Sequence, residues 1–74
     1  MVQRKKDMRK NLLKAMCSGY QGDIDRAQAN IEVYLTNPAG IGEHPDIIEA
    51  IDSELAKLAE AHEKLETLNH YFPE

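Results

Sequence analysis

PDIIEAIDSELAKLAEAHEKLETLNHYF, residues 45–72, is the stretch on which the fold turns. Ile48, Ile51, Leu55, Leu58, His62, Leu65, Asn69 and Phe72 recur in alternating steps of three and four. That spacing averages about 3.5 residues, the repeat of a coiled-coil seam. Ile47 and Leu68 widen the stripe, while Ala50, Ala56, Ala59 and Ala61 favour helix. Pro45 suits a first helical position, where a missing N–H costs nothing. Asp46 and Glu49 then bring negative charge to the positive end of the helix dipole. Glu60 and Lys64 form an i,i+4 pair in the better orientation. Pro73 stops the run. The pattern predicts one helix over about residues 45–72.

Upstream, Met8, Leu12, Met16, Tyr20, Ile24, Ala27, Ile31 and Tyr34 also step by three or four, flanked by Leu13, Cys17 and Leu35. This predicts a helix over about 7–36. Gly19 and Gly22 interrupt it and together cost about 2 kcal/mol against alanine. Ser18 and Gln21 have capping-box spacing, so a break near 18–23 is one reading. A single bent or weakened helix is favoured, because a true loop would shift the apolar phase. Two helices of similar length predict an all-α antiparallel hairpin over residues 7–74, preceded by a basic tail, 1–6.

Between the helices lies NPAGIGEHPD, residues 37–46. Pro38 pushes Asn37 out of helical geometry. Gly40 and Gly42 permit positive φ, Ile41 is expected to plug the hairpin end, and His44 to cap the second helix. Pro38, Gly40, Ile41, Gly42 and Pro45 therefore read as a structural corner. It is no phosphate loop, since it lacks the Lys-Ser/Thr ending and a preceding strand.

A chain of 74 residues is near the lower limit for burying an adequate core alone. Cys17 is its one cysteine, so no intrachain disulfide exists; a lone thiol fits a reducing cytoplasm. No long apolar run marks a secretory signal or a membrane span. Two helices cover only one side of each stripe, which leaves Ile47, Ile51, Leu58, Leu68 and Phe72 partly wet. At about 25 cal/mol per Å², several such side chains forfeit several kcal/mol. A second copy repairs this, giving a dimeric four-helix bundle. The expected interface is Ile47, Ile48, Ile51, Leu55, Leu58, His62, Leu65, Leu68, Asn69 and Phe72, with Asn69 a candidate for fixing register. Another protein partner is the alternative occupant.

Charge is uneven. Arg4, Lys5, Lys6, Arg9, Lys10 and Lys14 against Asp7 give residues 1–14 a charge of +5, within a chain of net charge −4. Arg4, Lys5, Lys6, Arg9 and Lys10 are the candidate contacts for an anionic partner, nucleic acid included. No aromatic interleaving or recognition-helix pattern accompanies them, and Glu60, Glu63, Glu66 and Glu74 are expected across the hairpin from Lys14, Lys10 and Arg9. A solvated basic tail is preferred to nucleic-acid binding.

Catalytic and metal-binding candidates are weak. His62, Glu66 and His70 share one helix face, yet no third fixed ligand accompanies the two imidazoles. If residue i faces about 80 − i, Cys17 lies near His62, but it reads as a small buried hydrophobe rather than a nucleophile. Two long helices offer no pocket to tune a carboxylate pair. No enzyme activity, cofactor or metal is expected.

The block IEVYLTNPAGIGEHPDIIEAIDSELAKLAEAHEKLETL, residues 31–68, with its Asn-Pro-x-Gly-Ile-Gly-Glu-His-Pro-Asp corner, resembles small helical proteins of tailed phages from marine bacteria. The resemblance implies a phage or environmental accessory protein. It implies no activity, cofactor or catalytic residue.

Overall fold

The computed structural model describes residues 2–37 and 46–73. It holds two helices, α1 (Val2–Thr36) and α2 (Ile47–Tyr71), packed as an all-α hairpin. The molecule is a rod measuring 58 × 19 × 15 Å. The predicted corner residues Pro38, Gly40, Ile41, Gly42 and Pro45, with His44, lie outside the described residues.

Both helix ends follow from local chemistry. Asp46, in extended geometry at φ −129° and ψ 95°, caps α2: its Oδ1 accepts the Glu49 N–H at 3.0 Å. Asp46, expected inside the first turn of a helix starting at residue 45, instead precedes a helix that starts at Ile47. Among the described residues the cap is this carboxylate, which satisfies an otherwise orphaned donor and suits the dipole. At the other end, the Phe72 N–H reaches the Leu68 carbonyl at 2.8 Å before Pro73 forbids continuation. In α1, the Thr36 hydroxyl donates to the Glu32 carbonyl at 2.7 Å, and the Asn37 N–H to Val33 at 2.9 Å.

One expectation about α1 changes and another holds. The basic head expected to form a tail is helical from Val2, so α1 is 35 residues long against 25 in α2. The helix also runs unbroken through Gly19 and Gly22. A Cβ at either glycine would meet nothing within 4 Å, so neither serves a close approach. Continuity follows from the contacts on both sides of the pair: Leu13, Cys17, Tyr20, Ile24, Ala27, Ile31 and Tyr34 form one unbroken stripe turned toward α2.

The hairpin register comes from cross-helix contacts. Arg9 meets Pro73, Cys17 meets Asn69, and Asn30 meets Glu54. Residue i thus faces about 84 − i rather than 80 − i. Because α2 is the shorter helix, the first turns of α1 run past its C-terminal end. The rod has an open end, carrying residues 2–14 and 70–73, and a corner end, carrying 27–37 and 46–57.

The core is thin. Leu13, Ala27 and Ala61 are its buried apolar side chains among the described residues, and no large side chain is fully enclosed. Ala27 and Ala61, at 2% and 5% exposure, let the helices approach closely. In α2 the inward stripe is Ile47, Ala50, Ile51, Glu54, Leu58, Ala61, Leu65 and Leu68. This corrects the seam read from sequence. Ile51, Leu58 and Leu65 belong to both stripes, but Ile48, Leu55, His62 and Asn69 point outward. The physical reason is width: α1 packs over the flank containing the small Ala61 and leaves the other flank open.

Candidate functional site: two unlike flanks and a basic end

The cross-helix contacts sort the rod into two flanks. One is polar. There the Asn30 amide donates to Glu54 Oε2 at 3.3 Å, and Lys57 Nζ lies 3.2 Å from Glu54 Oε1. The Glu54 side chain is 15% exposed, against 66% for Lys57. The Asn30 hydrogen bond, then Lys57, holds the Glu54 carboxyl below its ordinary pKa despite partial burial, which acts the other way. Farther along, Lys64 Nζ stands 6.0 Å from the Tyr20 ring centroid and 3.2 Å from Glu60 Oε1. The Glu60 hydrogen bond and charge raise the Lys64 pKa. An open groove lined by Tyr20, Asp23, Lys57, Glu60, Ala61 and Lys64 runs along this flank.

The opposite flank is apolar. At about 100° per residue, Ile48 and Leu55 stand beside Ile51, Leu58 and Leu65 on the side of α2 that carries Asn69. The Cys17–Asn69 contact puts Cys17, Ile24 and Ile31 of α1 on the same side. Ile48 is 81% exposed and Leu55 50%. Leu35 continues the strip toward the corner end and is also exposed. Of the ten interface residues read from sequence, Ile48, Ile51, Leu55, Leu58, His62, Leu65 and Asn69 map to this flank, whereas Ile47 and Leu68 are turned into the hairpin itself. Phe72 departs, meeting the open end beside Met8, Leu12, Leu13, Lys5 and Arg9.

That open end is a third feature. Arg4, Lys5, Lys6, Arg9 and Lys10 are all exposed. Arg9 donates to the Pro73 carbonyl at 3.2 Å. Glu74 lies outside the described residues, and the ion pairs of the described residues lie within α2, so the expected answering of Lys14, Lys10 and Arg9 by Glu60, Glu63 and Glu66 is not formed. The register shift of four residues, about one helical turn, removes those acids from reach. First-turn acids are also missing from α1, leaving Arg4, Lys5 and Lys6 at the unfavourable end of its dipole.

The chemical candidates are not brought together. Cys17 is half-buried rather than enclosed, and its Sγ lies 3.5 Å from Asn69 Oδ1 instead of near His62. His62 Nε2 is 3.5 Å from Glu66 Oε1 on an exposed surface, and His70 meets Tyr71 edge-on at 4.7 Å. Among the described residues no group of three His, Cys, Asp or Glu side chains could hold a metal ion. Among the described residues no helix is long and apolar enough to cross a membrane.

Sequence reasoning missed the Asn30–Glu54 pair. Its signal was available: Glu54 sits on the Ile47, Ala61, Leu68 repeat, where a carboxylate needs a partner. No protein-family model, curated protein or solved structure matches this chain.

Proposed function

We propose that this chain is a non-enzymatic interaction module that works as a two-fold dimer, two hairpins closing into a four-helix bundle over their apolar flanks. One observation carries the reading: Ile48 and Leu55 stand 81% and 50% exposed beside the half-buried Ile51, Leu58 and Leu65. Burying such a row recovers about 1.5–3 kcal/mol for each large side chain fully enclosed. A core of Leu13 and two alanines leaves a domain of this size in need of that contribution. The phage-like corner motif suits a small accessory protein acting in a host cytoplasm. Sedimentation equilibrium is expected to give twice the chain mass at micromolar concentration; a single-chain mass throughout removes the proposal.

A second reading rests on the open end. Five exposed bases on a helix that extends past its neighbour suit phosphate contacts, giving salt-sensitive affinity without base preference. A gel-shift series at low salt is its test. Absence of a shift, or a shift that survives removal of residues 1–10, excludes it.

A further inference from the structure

The rod is electrically polar along its length. Its open end carries Arg4, Lys5, Lys6, Arg9, Lys10 and Lys14 against Asp7, a balance of +5. Its corner end, residues 27–37 and 46–57, carries Glu32, Asp46, Glu49, Asp52 and Glu54 against Lys57, a balance of −4. These ends lie at opposite limits of a 58 Å molecule. The apolar flank runs between them, and the helical repeat places charges along its edges. Lys10 and Lys14 lie on that side near the open end; Glu32 and Asp52 edge it near the corner.

Resting on the self-association proposed above, we infer that the second copy lies antiparallel, with each basic open end over the acidic corner end of its partner. The Debye length is about 8 Å at physiological salt, far shorter than the rod, so only charges directly opposite one another decide the alignment. Antiparallel two-fold copies set α1 against α1, which opposes Lys10 and Lys14 to Glu32 of the other copy at both ends. Parallel two-fold copies set α1 against the partner's α2, which brings Glu32 to Asp52, acid against acid, at the corner end and disfavours that complex. End-to-end stacking also brings unlike charges together, but it fails on area. A stable interface takes roughly 800 Å² from each partner. The rod's tip, 19 × 15 Å, is too small, whereas a flank 58 Å long and 19 Å wide is sufficient. The occupant of the apolar flank is therefore a second copy turned end for end.

Pulsed electron-spin distance measurement tests the alignment. The background is Cys17→Ser, which keeps a donor for Asn69, and nitroxide labels are placed by Thr36→Cys or, separately, Asn11→Cys. Both positions are exposed and lie toward opposite ends of α1. Antiparallel copies are expected to hold like labels about 45 Å apart at position 36, from the rise per residue of a helix. Parallel copies would hold them at about 20 Å, roughly two helix spacings. A dimer mass with the short distance at both sites overturns the antiparallel alignment and leaves the dimer standing. A single-chain mass at every concentration overturns the dimer itself, and the alignment with it. Mass that climbs without limit as concentration rises indicates end-to-end chains and overturns the alignment. As an independent arm, Lys6→Glu/Lys10→Glu/Lys14→Glu is expected to raise the dimer Kd at least tenfold at low salt and to reverse its salt dependence, since salt then screens a repulsion. An unchanged Kd overturns the charge argument.

Discussion

The two flanks of the hairpin are built from the same helices and differ in what their side chains have to do. On the polar flank, Glu54 finds Asn30 and Lys57, and Lys64 finds Glu60 and the Tyr20 ring. On the other, Ile48 and Leu55 are left facing water while Ile51, Leu58 and Leu65 are half covered. Partnered polar groups satisfy a surface; apolar groups satisfy it only by leaving it. The difference gives the work of folding the single chain to one flank and leaves the other as the surface proposed for association.

The sharpest way to break this contrast is charge on the apolar flank. Ile48→Glu/Leu55→Glu is expected to keep the helical circular-dichroism spectrum and to raise the dimer Kd by on the order of a hundredfold, from the lost apolar burial. Lys57→Glu/Lys64→Glu, which also alters two residues but on the polar flank, should leave the Kd within a few-fold. Equal effects from the two pairs, read by sedimentation, would erase the distinction.

Next in size is Ala27→Leu. Ala27 is 2% exposed where the helices approach, so the added atoms must force them apart, at about 1–3 kcal/mol. Thermal melting should report a loss of several degrees. An unchanged melt would mean that close approach is not what holds α1 on the Ala61 side.

Gly19→Ala/Gly22→Ala works in the opposite direction. Both sites are helical, with open space around the new Cβ. The pair should stabilise the chain by about 1–2 kcal/mol through helix propensity, raising the urea midpoint. A lowered midpoint would mean that α1 needs the weakness at its centre.

The smallest effect concerns Asn30→Ala, expected to cost about 1 kcal/mol at neutral pH. Glu54 has its folded pKa lowered, with the Asn30 bond the leading cause. Its contribution is therefore present above the unfolded carboxylate pKa and lost as pH falls through the folded one. Urea unfolding of parent and variant should show a gap at pH 7 that narrows by about pH 3. A gap that widens in acid would contradict the sign.

Much of the fold was legible because helix periodicity is local. The alternation from Ile48 to Phe72 and the stripe from Tyr20 to Tyr34 need only backbone geometry to become helical faces. Pro38 and Pro73 mark stops for the same local reason. The Glu60–Lys64 pair forms at 3.2 Å because i,i+4 neighbours meet on any helix. The candidate site was only half legible. Its apolar residues were visible, but not which of them would be spent on the hairpin. Cys17 pairs with Asn69 rather than approaching His62 because of a four-residue change in register that no helix encodes by itself.

Taken alone, the sequence determined two helices, an apolar stripe broader than one neighbour can cover, and bases gathered in residues 1–14 of an otherwise acidic chain. Tertiary packing decided which edge of the α2 stripe was covered and how far α1 overran it. The physical reason is that a stripe of mixed three- and four-residue steps offers two adjacent edges to a neighbouring helix. Small Ala27 and Ala61 and the Asn30–Glu54 bond lie on the edge that was taken, leaving Ile48 and Leu55 on the other.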